Sequence, residues 1–234
     1  MGKKIAILQS NYIPWKGYFD IINMVDEFIL YDDMQYTKND WRNRNKIVTQ
    51  SGIKWITIPI ETKGKFFQKI KDAKVVDNKW CMKHWQTIQC NYAKAEFFRE
   101  YADLFYKLYK ECENEEYLSK INYKFIKLIC YILEIDTKIS WSSEYVLADG
   151  KTERLVELVK SAGGDYYLSG PAAKDYIEEK YFREANIKLA WMDYSNYPVY
   201  NQLSKEFEHR VSVLDLIFNE GSNATKYMKS FGHI

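Results

Sequence analysis

Cysteine and histidine are scarce in this chain, and neither is arranged as a metal or catalytic signature. The four cysteines form no C-x-x-C pair and lack the spacing of metal ligands: Cys81, Cys90, Cys112 and Cys130. We therefore expect reduced, partly buried thiols rather than disulfides or a zinc site. The three histidines belong to no Ser-His-Asp or Cys-His signature. We predict no metal site, and the identity of any cofactor stays open.

Neither sign of charge dominates the chain, and long apolar runs are lacking. There are 34 basic and 32 acidic residues, so the formal net charge is only +2. This balance provides no bulk field for nucleic acid or for an anionic membrane surface. Lysine and glutamate interrupt every apolar run before it reaches membrane-spanning length. The first strand pattern begins at Lys4, which leaves no room for a signal peptide, so we expect a cytoplasmic protein.

Aromatic residues are abundant, at 17% of the chain, and tyrosine is the most frequent of them. Tyrosine and tryptophan combine a flat face with a polar atom, which suits the binding of sugars and bases. A coding bias towards Tyr, Lys, Asn and Ile would produce much of the same excess without any ligand.

The first 45 residues have the pattern of a strand, a loop, a helix and a second strand. Residues 4–9 and 28–31 are the two strand patterns, and chain direction favours their parallel pairing. We predict one α/β domain with a doubly wound, mainly parallel sheet. The remaining predicted parts are a β-hairpin at 45–59, a short strand at 69–76 and a helical insertion at 78–133, all within residues 1–234.

Polar and aromatic residues follow these two strands, where parallel sheets bind ligands. We predict ligand contacts from Gln9, Asn11, Tyr12 and Gln35. Asp32 and Asp33 end the second strand, where a carboxylate can act as a base, bind a metal or hold sugar hydroxyls. Only one of two neighbouring strand residues points to a given face, so one of the pair would serve. The alternative is that one of them caps a turn.

The opening segment IAILQSNYIPWKGYFDIINMVDEFILYDDMQYTKNDWRNRNKI resembles the opening of the WbqC-like family. The segments WITIPI, WCMKHWQTIQCNYAKAEFF, YYLSGPAAKDYI and VSVLDLIFNEG extend the resemblance over almost the whole chain. The resemblance implies a bacterial protein of O-antigen (lipopolysaccharide) or other surface-polysaccharide biosynthesis. It specifies no reaction.

The first loop occupies the position of the H-x-G-H signature of nucleotidylyltransferases and pantothenate synthetases, which share this order of strand, loop, helix and strand. This resemblance implies a nucleotidylyltransferase-like core. The matching residues here are Trp15, Lys16, Gly17 and Tyr18, so both histidines are replaced. This replacement argues against adenylation of the usual kind. Gly17 would still allow a phosphate to approach the backbone, and Lys16 can contact it. Alternatively, Gly17 ends a turn and Tyr18 packs in the core.

Two further segments have the composition of phosphate sites. Trp41, Arg42, Asn43 and Arg44 place two guanidinium groups on one face of a strand, which suits a diphosphate, although a solvated edge strand has the same composition. A second segment combines a strand end, a tight turn and a helix N-terminus, which attract anions, although an ordinary turn looks the same: Ser169, Gly170 and Lys174.

His84 lies on a helix face with aromatic and apolar neighbours. It is either a hydrogen-bonded core residue or a general base. The other two histidines, His209 and His233, lie in loop and tail positions.

These observations predict an enzyme that transfers an acyl or aminoacyl group to the amine of a nucleotide-activated sugar. The family resemblance implies the pathway, and the similarity to pantothenate synthetase suggests the amide-forming step. Arg42, Arg44, Ser169 and Lys174 would hold the diphosphate. The amine proton would pass to Asp32, Asp33 or His84. The alternatives are an ATP- and Mg²⁺-dependent nucleotidyl transferase or amide ligase, and a non-catalytic sugar-nucleotide binding protein; the oligomeric state stays open.

Overall fold

The centre of the computed structural model, which describes residues 2–204 and 206–232, is a five-stranded parallel sheet. Its order is β5 (Lys138–Trp141), β2 (Glu27–Leu30), β1 (Lys4–Leu8), β6 (Tyr166–Ser169) and β7 (Lys188–Trp191). All four neighbouring pairs run parallel. The chain adds strands on one side of β1 first and on its other side later, so the strand order reverses between β1 and β6. The predicted mainly parallel α/β sheet is confirmed.

The inner strands form because their sequences are apolar without alternation. In β1, Ile5 and Ala6 are fully buried although they point to opposite faces, and every residue of β2 is buried. Helices cover both faces of a parallel sheet, so both sets of side chains lose contact with water. The register pairs Ile5 with Glu27 and Leu8 with Leu30.

The predicted hairpin is present as β3 (Arg44–Thr49) and β4 (Gly52–Thr57), which pair antiparallel. Thr49 lies opposite Gly52 across a two-residue turn, and Gly52 has a φ of 106°, which favours glycine.

The prediction of a strand at 69–76 is wrong. The segment instead contains a 3₁₀ turn at Ile70–Asp72, with isolated bridges at Lys69, Lys74 and Val75. Ile70 and Ala73 are both fully buried, and residues three apart share a face in a 3₁₀ turn but not in a strand.

Seven α-helices lie in the described residues. They are α1 (Lys16–Asn23), α2 (Lys79–Tyr92), α3 (Phe98–Cys112), α4 (Leu118–Ile132), α5 (Thr152–Ser161), α6 (Glu179–Glu184) and α7 (Val213–Glu220). Helices α2 to α4 occupy the segment predicted as the insertion. Their buried side chains belong to the same apolar cluster as Phe28 of β2. The division of the chain into one domain with a helical subdomain stays a prediction. No helix in the described part of the chain is both long and apolar enough to cross a membrane.

Candidate functional site

Two adjoining cavities lie where the strand order reverses. The larger, about 1010 Å³, lies over the carboxyl ends of β1 and β6, and the smaller is about 660 Å³. Four residues line both cavities and join them into one cleft: Asn11, Trp15, Trp41 and Tyr194. Clefts at this position of an open α/β sheet are where such folds bind their ligands.

The larger cavity combines cations with aromatic rings. Arg42, Lys151 and Arg154 are its basic lining residues, and Tyr31 and Tyr176 add aromatic walls. Six residues predicted to bind substrate line it: Gln9, Asn11, Trp41, Arg42, Ser169 and Gly170. Gly170 precedes a 3₁₀ turn at Pro171–Asp175, rather than the α-helix predicted there.

Arg42 is held at the cavity by its neighbours. Its Nη1 donates to Oδ1 of Asn11, its Nη2 lies 3.5 Å from Oδ2 of Asp40, and its backbone carbonyl accepts from Asn122 at 2.9 Å. Its buried Nε has no hydrogen-bond partner within residues 2–204 and 206–232. The guanidinium is therefore oriented by its neighbours at the cavity, and the protein leaves one of its buried donors unpaired.

Asn45 holds the loop after β1 in place through two hydrogen bonds. Its Nδ2 donates to the carbonyls of Tyr12 and Ile13 at 3.0 and 2.9 Å. Ile13 has a φ of 38°, a conformation that strains a β-branched residue. The backbone N–H of Tyr12 also donates to the Trp41 carbonyl at 3.0 Å. These contacts fix the chain where both cavities meet.

Gly17 allows the indole ring of Trp15 to pack on its backbone, so this segment is not an open phosphate-binding loop. A Cβ at this position would lie 2.4 Å from the Trp15 ring, so only glycine lets that ring pack closely over the backbone. Trp15 in turn packs edge-on against Tyr194 and Tyr197, with centroids 5.1 and 5.6 Å away. Tyr18, the last residue of this motif, is buried, lines the larger cavity and donates its hydroxyl to the Gln9 carbonyl at 3.0 Å.

Lys16 is buried beside the cleft and lines neither cavity. Its Nζ donates to the Pro198 carbonyl at 3.0 Å and lies 4.9 and 5.2 Å from the rings of Tyr197 and Tyr200. Burial lowers the pKa of Lys16 to about 8. The charge of Lys16 nevertheless acts on His209, which lines the smaller cavity.

Tyr12 and His84 belong to a sealed polar chain. The Tyr12 hydroxyl lies 3.0 Å from Nδ1 of His84 and 2.6 Å from the Tyr109 hydroxyl, and all three side chains are buried. Burial lowers the pKa of His84 to about 4. Neither Tyr12 nor His84 is among the lining residues of the two cavities.

Asp32 is buried with its own donors. It accepts from the backbone N–H of Ser10 at 2.8 Å and from the Ser119 hydroxyl. Burial raises the pKa of this carboxyl despite those bonds. Asp32 thus ties the end of β2 to the loop after β1 and to α4.

Asp33 follows Asp32 in the turn after β2, beyond the end of the strand, and has a different set of partners. It binds Lys71 at 2.6 Å, Ser142 at 2.9 Å and Lys69 at 3.3 Å. Burial acts to raise the pKa of Asp33, but these partners outweigh it and the pKa is lowered. Neither aspartate lines a cavity, and the proton-transfer role of Asp32, Asp33 and His84 stays a prediction.

The other predicted binding residues lie outside the cavity linings. Asn43 donates to the Ile58 carbonyl at 2.8 Å and Gln35 to the Phe66 carbonyl at 2.8 Å. Arg44 stacks on Trp55 with 4.1 Å between its Cζ and the ring centroid. Lys174 lies 5.6 Å from the ring centroid of Trp191. Arg42 lines the larger cavity, whereas Arg44 lines neither cavity, and their joint binding of a diphosphate stays a prediction.

The smaller cavity is closed by residues that the sequence patterns did not single out. The segment after β7 supplies them: Tyr194, Asn196, Tyr197, His209 and Arg210. Backbone bonds from Ser212 to Lys46 and from Val213 to Pro14, both 2.9 Å, bring this segment to the loop after β1. Its tyrosine-rich composition was the available signal, but composition does not indicate where a loop packs.

His209 is the ionisable group of this wall with unused hydrogen-bonding capacity. Its Nδ1 is buried and has no partner among the described residues, and its ring packs edge-on against Phe207 at 4.6 Å. Burial, and next the charge of Lys16, lower the pKa of His209. The imidazole is therefore neutral at neutral pH and can accept a proton. His233 lies outside the described residues.

The chain is similar to one protein family and to an uncharacterized mycobacterial protein. The sequence profile of the WbqC-like protein family matches residues 9–227. The uncharacterized protein Rv1507c of Mycobacterium tuberculosis (strain ATCC 25618 / H37Rv) is 49% identical over 227 residues, which cover 97% of this chain and 98% of that protein. No solved structure matches the chain significantly. Because the family match extends over nearly its full length, the chain belongs to the WbqC-like protein family.

Proposed function

We propose that the chain binds a nucleotide-activated amino sugar in the cleft and transfers an acyl or aminoacyl group to the sugar amine. The observation that carries this proposal is the joining of two different cavities at the strand reversal. One offers cations and strand-end polar groups, and the other offers aromatic rings and a neutral imidazole. The pathway implied by the family resemblance, surface-polysaccharide biosynthesis, uses such activated sugars.

The diphosphate lies in the larger cavity on this proposal. Arg42, with its unused Nε, and the neighbouring Lys151 and Arg154 supply the positive charge that phosphate oxygens require. Ser169 and Gly170 contribute a hydroxyl and an unhindered backbone at the end of β6. The predicted resemblance to the core of nucleotidylyltransferases suggests the same placement by fold-level analogy alone.

The sugar amine reaches the smaller cavity, where His209 acts as the base. The amine nitrogen forms a bond to the acyl carbon, the bond from that carbon to its leaving group breaks, and the amine proton passes to His209. A base with a pKa near or below neutrality suits this step. His209 is favoured over Asp32, Asp33 and His84 because it lines the cleft and they do not.

Thermal unfolding with UDP-, GDP- and dTDP-sugars tests the binding. A ligand at one hundred times its Kd stabilises a protein by about 2.7 kcal/mol, which is a clear shift in Tm. Arg42→Gln should abolish the shift, because it removes a partly buried phosphate donor. Arg183→Gln, an exposed arginine of α6, is the matched control and should behave as wild type. Absence of a shift with every sugar nucleotide contradicts the proposal.

Two further assays separate the alternatives. Adenylation is disfavoured because the Trp15 ring covers the Gly17 backbone, so pyrophosphate release from ATP should stay at background. Sustained release would favour the ligase alternative. Binding without product formation for any acyl donor would favour a non-catalytic binding protein.

A further inference from the structure

We infer that the outer face of the hairpin, beside the smaller cavity, binds the phosphate-bearing nucleotide part of the acyl donor. This face, the indole face, consists of Trp41, Trp55, Arg44 and Lys46. The inference rests on the proposed function for the name "acyl donor". The subsite itself rests on the contacts, exposure and charge of these residues.

The two indole rings lie side by side at the mouth of the cleft. Their centroids are 5.2 Å apart and their planes are tilted by 41°. Trp41 is 37% exposed and lines both cavities, and Trp55 is 39% exposed. Trp55 stands opposite Lys46 in the hairpin register. A ring stacked here would therefore continue directly into the smaller cavity.

The cations of this face are not neutralised by ion pairs within the described ranges. Cζ of Arg44 lies 4.1 Å and Nζ of Lys46 lies 5.4 Å from the centroid of the Trp55 ring. Neither they nor Arg210, which lines the smaller cavity, form a salt bridge among residues 2–204 and 206–232. The nearby Asp40 carboxylate pairs with Arg42 and accepts a hydrogen bond from Thr37, and the charge of Arg44 acts on it more weakly.

Arg44 also has a buried Nε without a hydrogen-bond partner in the part of the chain that the structure describes. A guanidinium held flat on an indole keeps its N–H groups in one plane, which is the geometry that phosphate oxygens accept. Indole rings stack on nucleobases with little dependence on base identity. A nucleotide would use both features, because its base can stack on an indole ring and its phosphate can pair with the Arg44 guanidinium.

The size of the face favours a small nucleotide over a nucleic acid strand. Two indoles hold one or two rings, and a net charge of +2 provides no extended basic field. An acyl donor that carries a nucleotide, such as a coenzyme A thioester, matches this surface and places its acyl end towards the cavity.

Isothermal titration with coenzyme A and with 3′,5′-ADP tests the inference on the full chain. Both should bind and quench tryptophan fluorescence. Trp55→Ala and Arg44→Gln should each weaken binding by roughly tenfold, the loss of one favourable contact, and leave the affinity for sugar nucleotides unchanged. Tyr131→Ala and Arg183→Gln, an exposed aromatic residue and an exposed arginine elsewhere, are matched controls and should bind as wild type.

Several results would overturn the inference. These are no binding of either nucleotide, equal binding by the two variants, or preference for a uronic acid oligosaccharide or a single-stranded oligonucleotide. Circular dichroism shows whether Trp55→Ala is folded, and the surface change Arg44→Gln gives an independent reading. If sugar nucleotides bind but coenzyme A does not, this inference fails and the proposed function stands. The reverse result would refute the proposed function while leaving the nucleotide subsite in place.

Discussion

The surroundings of His84 and of His209 differ although both rings have a lowered pKa. His84 is a buried residue of α2 with the Tyr12 hydroxyl as its hydrogen-bond partner, and the protein supplies its contacts. His209 is part of a cavity wall, and its Nδ1 is left without a partner in the described ranges. A group whose bonds are satisfied internally stabilises the fold, whereas one with unused bonding capacity at a cavity is available to a ligand. A lowered pKa alone does not distinguish the two.

The largest effect is expected from His84→Ala. Removing a fully packed ring leaves a cavity and deprives Tyr12 of a partner, so the free energy of unfolding should fall by about 4 kcal/mol. Urea unfolding followed by tryptophan fluorescence measures the change. His209→Ala is the comparison and should stay within about 0.5 kcal/mol of wild type. Equal losses in both variants would erase the distinction between the two regions.

The pH dependence of stability should follow His84. Its folded pKa of about 4 lies below the ordinary value of 6.5, so the unfolded chain binds a proton first as pH falls. The contribution of neutral His84 to the free energy of unfolding is fully present above pH 6.5. It is lost as the pH falls to 4, and the free energy of unfolding then decreases by about 3 kcal/mol. His84→Gln removes this dependence and should stabilise the acid form relative to wild type. If the free energy of unfolding changes by the same amount between pH 7.5 and 4.5 in wild type and in His84→Gln, the pH dependence does not come from His84.

Gly17→Ala should have an intermediate effect. The added Cβ displaces the Trp15 ring, so we expect a loss of about 2 kcal/mol in unfolding free energy. Because Trp15 lines both cavities, ligand binding should weaken as well. Gly170→Ala is the matched stability control, since its Cβ would meet only the Tyr194 hydroxyl at 4.0 Å. Wild-type stability of Gly17→Ala would show that the Trp15 ring can move without cost.

The smallest effect on stability, with the largest on turnover, is expected from His209→Gln. Stability should stay within about 0.5 kcal/mol, while the rate of acyl transfer should fall by roughly 10²–10⁴. Because the pKa of His209 is lowered, the wild-type rate should rise with pH to a plateau, and the midpoint of this rise should lie below the ordinary value of 6.5. The variant should lose this limb of the pH–rate profile and retain sugar-nucleotide affinity. An unchanged profile would exclude His209 as the base.

Local patterns predicted most of the regular structure. The bounds of β1 and β2 differ by one residue from the strands predicted at 4–9 and 28–31, and the hairpin bounds differ by one or two residues. These elements depend on local periodicity and turn residues. The segment at 69–76 was mispredicted because its two fully buried residues, Ile70 and Ala73, are three positions apart, which is the spacing of a 3₁₀ turn.

The sequence by itself determined the parallel sheet and the position of the cleft at its strand ends. Apolar runs specify buried strands, and chain direction orients them, so Gln9, Asn11 and Ser169 could be placed at the cleft in advance. Tertiary structure decided which polar groups remain available to a ligand. Burial and partners from distant segments sealed Asp32 and His84, and turned Arg44 towards Trp55. The chain after β7 brought Tyr194 and His209 to the first loop, a contact between residues about 200 positions apart that no local pattern encodes.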